Sequence, residues 1–176
     1  MLNHKIFGTG PNLVILHGLF GMLDNWQTLA RKWAEDYTVT LLDLRNHGRS
    51  FHADEMNYAL MAEDVATFLE GQNIDQCYLL GHSMGGKVAM QTALTYPELV
   101  EKLIVVDIAP RRYRPGHNDV FAALEAFDPG EVTDRPPGAG KPAKAGFIDA
   151  ARHHRVGEDG CEFSANCRHH KGHQRD

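Results

Sequence analysis

Residues 75–97 constrain this chain more than any other stretch, because a Gly-x-Ser-x-Gly turn is wedged there between two apolar patterns. The run from Cys77 to Leu80 ends in Gly81-His82-Ser83-Met84-Gly85-Gly86, and a helical pattern follows through Val88, Ala89, Ala93 and Leu94. Read as strand, sharp turn and helix, it puts Ser83 at the turn with its hydroxyl exposed. The glycines meet a steric demand, since such a turn leaves no room for side chains where strand and helix pack closely. Met84 would open the helix, leaving its backbone N–H free to meet an anion. The plain alternative is a serine that merely caps a helix.

Leu13-Val14-Ile15-Leu16 is a second continuous apolar run, the pattern of a strand covered on both faces. It ends at His17-Gly18-Leu19-Phe20-Gly21, a loop where chemistry can sit. Acyl transfer through a serine needs donors for the oxygen of the tetrahedral intermediate, and backbone N–H groups supply them. Met84 is one candidate donor and Leu19 the other. His17 is open to two roles, catalytic base or a ring that hydrogen-bonds loop backbone and holds the donor. Its place at the rigid end of a strand favours the second.

The remaining elements fall around these two. Residues 2 to 7 read as a short edge strand and Asn25 to Trp33 as a helix capped by Asp24 or Asn25, with Trp26, Leu29 and Trp33 packing. Tyr37 to Leu42 is the next strand, so a β-α-β unit forms. Asp43 and Arg45 follow it, either lining a pocket at the sheet's carboxyl edge or pairing to fix the loop. Tyr58 to Glu70 is an amphipathic helix stopped at Gly71, and Leu103 to Val106 a further apolar run closing on Asp107. A carboxylate there is placed to orient a histidine; equally, it caps the loop before Pro110. Asn118 to Phe127 reads as one more helix.

Composition bounds the rest. The chain has 176 residues, enough for one domain, and its 18 Lys and Arg against 23 Asp and Glu give a net charge of −5. That balance argues against nucleic acid or an anionic membrane as partner. No apolar run approaches the roughly 20 residues that span a bilayer, and the N-terminus lacks a signal peptide's apolar stretch. A cytoplasmic setting is expected. Residues 129–176 hold only five large apolar residues beside seven glycines and four prolines, which reads as an irregular tail after a core of residues 1–128. Its Cys161, Cys167 and five histidines do not fall at the usual zinc spacings, so no metal or other cofactor is expected. The Gly81 to Lys87 segment lacks the spacing of a phosphate-binding loop.

Taken together, His17-Gly18-Leu19-Phe20-Gly21, Asp43 to Ser50, Gly81 to Gly86 and Val106-Asp107-Ile108-Ala109-Pro110 resemble the α/β-hydrolase fold. More narrowly they resemble its small bacterial acyl-ester hydrolases of the YbfF type. The resemblance covers roughly residues 1–134. It implies a mostly parallel sheet with helices on both faces, Ser83 as nucleophile and Asp107 as the acid. It also implies oxyanion donors at Leu19 and Met84, supported by His17, Gly18 and His82. A serine at 83 sets the chain apart from relatives whose nucleophile is aspartate. The later strands and late histidine of such proteins have no recognisable counterpart here, as in a truncated or frame-shifted product. The expected function is hydrolysis of short-chain acyl esters through an acyl-enzyme. The alternatives are a non-catalytic fragment or binding protein, and a thioesterase or C–C hydrolase of the same fold. An unpaired sheet edge would favour self-association.

Overall fold

The computed structural model describes residues 1–111, and these build one five-stranded sheet flanked by helices. The strands are β1 (His4–Phe7), β2 (Asn12–Leu16), β3 (Thr38–Leu42), β4 (Cys77–His82) and β5 (Val100–Val106). The helices are α1 (Gln27–Trp33), α2 (Tyr58–Gly71) and α3 (Met84–Thr95). Across the sheet the order is β1-β3-β2-β4-β5, with β1 antiparallel to β3 and every other neighbour parallel. The chain therefore leaves β2 toward β3 on one side and takes up β4 on the other. Such a reversal opens a crevice at the carboxyl ends of the two strands between which it occurs, here β2 and β4.

The alternation of side chains along each strand sorts the core into two layers. Val14, Leu16, Leu42 and Leu79 point to the face covered by α2 and α3, where they meet Met61, Val65, Phe68, Leu69 and Val88. Leu13, Ile15, Val39, Leu41 and Leu80 point to the other face, against Leu23 and against Ala30 of α1. Each large side chain removed from water in this way contributes roughly 1.5–3 kcal/mol. The continuous apolar run of β2 is thus a strand buried from both sides. Cys77 lies in the first layer as a free thiol, and burial pushes its pKa up to about 12, so it stays protonated at neutral pH.

Several local expectations are corrected. Residues Leu23–Trp26 form a 3-10 turn before α1, and neither Asp24 nor Asn25 caps the α-helix itself. The Met22 N–H donates to Asn25 Oδ1 at 2.8 Å, while Asp24 is engaged by Lys5 and Gln27. Gly71 is the last residue of α2 rather than its stop, and the left-handed residue that follows is Asn73, with φ of 55°. Asn57 caps the other end, its Oδ1 accepting from the Leu60 N–H at 2.9 Å. Leu94 is 67% exposed and does not belong to the packed face of α3. The apolar run of β5 is not covered either, with Leu103, Ile104 and Val106 each 37–41% exposed. Among the described residues β5 pairs only with β4 and is the last strand of the sheet on that side. The expected helix over Asn118 to Phe127 and the boundary at residue 128 lie outside the described residues.

Candidate active site

Ser83 stands where β4 ends and α3 begins, with φ of 51° and ψ of −117°. A side chain other than glycine in the positive-φ region costs of order 1–3 kcal/mol and persists only when its surroundings hold it. They do here. The Ser83 N–H donates to Val106 O at 2.9 Å, and Ser83 O accepts from Gly86 N at the same distance. The helix then packs directly on the end of β2, since a Cβ on Gly85 would lie 2.5 Å from both Leu16 O and His17 O. The Ser83 side chain makes no capping bond to α3, which removes the reading of this serine as a helix cap.

The loop after β2 comes up against Ser83. A Cβ built on Gly18 would lie 3.4 Å from Ser83 Cβ and 3.0 Å from His82 Nδ1, so all three residues crowd one point. Phe20 holds φ at 60°, and the Gly21 N–H closes a turn onto Gly18 O at 3.0 Å. Neither the Leu19 amide nor the Met84 amide donates to another described residue. These two amides belong to the residues that follow Gly18 and Ser83, at the two strand ends that define the crevice.

His17 secures this loop. The Leu44 N–H donates to His17 Nε2 at 3.1 Å, so Nε2 carries no proton and Nδ1 does. Nδ1–H then donates to Gly18 O at 2.7 Å. Burial holds the imidazole pKa below its ordinary value, against the opposing pull of Gly18 O and Asp43. The ring is spoken for at both nitrogens, which fits the structural role over the catalytic one.

Asp43 and Arg45 are structural as well, but they do not pair with each other. Asp43 Oδ1 accepts from the Leu23 N–H at 2.7 Å, and Oδ2 accepts from Asn3 Nδ2 and the Arg49 N–H. A Cβ on Gly48, where φ is 55°, would fall 2.2 Å from the Asp43 carboxyl carbon, so the loop closes around the carboxylate. Arg45 makes a two-pronged bond to Asp64 of α2, at 2.5 and 2.8 Å, and reaches the carbonyls of Glu55 and Leu60. These anchors were missed by sequence reasoning. The only signal for them was a cluster of polar residues directly after an apolar strand.

Asp107 follows β5 with φ of 58°, and its side chain is 83% exposed. Its Oδ2 lies 3.8 Å from His82 Nε2, too far for a hydrogen bond and close enough for an ion pair if the ring is protonated. The carboxylate bonds to no backbone group of the described residues, against the loop-capping alternative. On the other side of β4, a cavity of about 420 Å³ opens beside His82, walled by Gly18, Leu19, Phe20, Trp26 and Leu29. The Trp26 and His82 rings meet edge to face, with centroids 6.1 Å apart. Among the described residues no group of His, Cys, Asp and Glu is arranged to hold a metal ion, and no helix is long and apolar enough to cross a membrane.

A family profile described as alpha/beta hydrolase fold matches residues 11–159. The chain belongs to that family. It is 40% identical over 124 residues to Esterase YbfF of Escherichia coli, spanning 70% of this chain and 49% of that protein. To the sn-1-specific diacylglycerol lipase ABHD11 of Xenopus laevis it is 52% identical over 120 residues, spanning 66% of this chain and 38% of that one. The solved structure of a marine microorganism esterase superposes with a TM-score of 0.72 at 45% identity, covering 76% of this chain and 54% of the other. The chain spans less than half the length of the curated relatives it matches.

Proposed function

We propose that the chain carries the site of a serine-nucleophile carboxylic ester hydrolase that acts on short-chain acyl esters through an acyl-enzyme. The observation that carries this reading is the Ser83 turn, where a hydroxyl that makes no capping bond sits on a strained backbone, with the Gly18 loop packed against it and the Leu19 and Met84 amides donating to no other described residue. The esterase and lipase names of the relatives agree with it. Ser83 Oγ attacks the ester carbonyl as its proton passes to a histidine, and the oxyanion rests on the Leu19 and Met84 N–H groups. The proton is returned to the leaving alcohol, and water repeats the sequence on the acyl-enzyme. Asp107 is the acid that orients the histidine, and His17, Gly18 and His82 support the donor loop. The substrate is a small-molecule ester, in a cytoplasmic protein with no nucleic-acid or membrane partner and no metal or other cofactor. Self-association runs through the open edge of β5.

A second reading is a hydrolase-like binding protein without turnover. It is favoured by one observation, that no imidazole of the described residues hydrogen-bonds Ser83. Hydrolysis of p-nitrophenyl acetate and butyrate at pH 8, with Ser83→Ala in parallel, separates the two. Turnover lost with the hydroxyl supports the esterase, and equal rates support the second reading. Thioesters offered in the same assay distinguish a thioesterase.

A further inference from the structure

The two sides of Ser83 differ in chemistry. β4 lies between β2 and β5 in the sheet, so the serine at its end has the β2 loop on one flank and Asp107 on the other. The β2 flank is a cavity whose walls are apolar at Leu19, Phe20, Trp26 and Leu29 and polar at His17, Asn25 and His82. The β5 flank carries a carboxylate that is 83% exposed. Leu29 is 43% exposed, whereas the next residue, Ala30, is fully buried. Leu29 thus brings a partly exposed apolar side chain to the wall of the cavity. At about 420 Å³ the space sits toward the small end of the roughly 300–1,000 Å³ typical of small-molecule sites.

Resting on the esterase reading, we propose that the acyl chain of the ester lies in the β2-side cavity against Trp26 and Leu29, while the alcohol leaves on the Asp107 side. The leaving oxygen must receive a proton, and the acid that orients the proton carrier belongs to the β5 flank. The acyl group stays on Ser83 after the alcohol has gone, and among the described residues the cavity on the β2 flank offers it apolar walls. Chain-length preference is therefore set by Trp26 and Leu29, two residues that take no part in bond making.

The test uses the full chain and a reaction that needs no turnover. Ethyl p-nitrophenyl alkylphosphonates with methyl, butyl and octyl chains form a bond from Ser83 Oγ to phosphorus. The P–O bond to p-nitrophenolate breaks, and the hydroxyl proton passes to buffer. Intact mass reads the rate. Each sheltered methylene raises labelling up to about fourfold until the cavity is filled. Leu29→Trp, at an exposed position where folding is undisturbed, lowers the butyl-to-methyl ratio about tenfold or more. It leaves unchanged the preference among probes that vary only in the alkoxy group. A ratio unmoved by Leu29→Trp, with Ser83 still labelled, overturns the assignment and leaves the esterase reading standing. No labelling at Ser83 overturns the esterase reading itself. The cavity is then judged by Trp26 fluorescence in Trp33→Phe protein, which hexanoate quenches to saturation if it binds there. An unchanged signal overturns the proposal.

Discussion

Ser83 holds φ at 51° although it carries a Cβ, and the conformational cost can be separated from the chemistry. Ser83→Ala and Ser83→Gly both remove the hydroxyl, but only glycine relaxes in this region of backbone space. Ser83→Gly is expected to be about 1 kcal/mol more stable than Ser83→Ala in urea unfolding, after allowance for glycine's larger loss of entropy on folding. Equal midpoints would mean the turn stores no strain. The position of this serine was legible because strained turns between strand and helix draw on glycine-rich patterns. The anchoring by Asp43 was not. A carboxylate that accepts from Leu23, Asn3 and Arg49 gathers partners from three separate parts of the chain, and no local pattern encodes that.

Among the elements, α3 and β2 meet with backbone against backbone. A methyl group on Gly85 would stand 2.5 Å from two carbonyl oxygens at the end of β2, and neither can move without disturbing the sheet. Gly85→Ala is expected to cost about 1–3 kcal/mol, as overpacking does, and to lower Ser83 labelling by parting the two donor amides. Thermal unfolding and phosphonate labelling check the two effects separately. At the other flank, β5 exposes Leu103, Ile104 and Val106, and among the described residues its outer edge is unpaired. Ile104→Lys is expected to reduce concentration-dependent association in size-exclusion chromatography, because a charged edge resists pairing with a second strand. If the elution volume of the parent chain does not depend on concentration, association through β5 is excluded. Element identity was readable from periodicity, and β2, β3 and β4 emerged close to their expected bounds. The exposure of β5 and of Leu94 was not readable, since an apolar run states what a segment can bury and not what lies above it.

For the whole molecule, His17 links stability to pH. Its pKa is lowered by burial, so the folded state favours the neutral ring while the unfolded chain titrates near 6.5. The unfolded state takes up the proton first. The stability this group contributes is thus fully present above about pH 6.5 and falls as the pH drops through the lower folded value. Protonation at Nε2 would also break the bond from Leu44 and place two donors face to face. Urea midpoints measured from pH 8 down to pH 5 should decline for the parent chain. In His17→Gln the decline should be shallower from a lower starting stability, and an identical slope would remove His17 as its source. The sheet order carries a further consequence, in the time domain. Among the described residues β2 is bonded on both edges and β5 on one, so deuterium should enter the amides of β5 early and those of β2 among the last. Openings that release Asp107 would then leave Leu19 anchored, and the two flanks of the serine would keep different clocks.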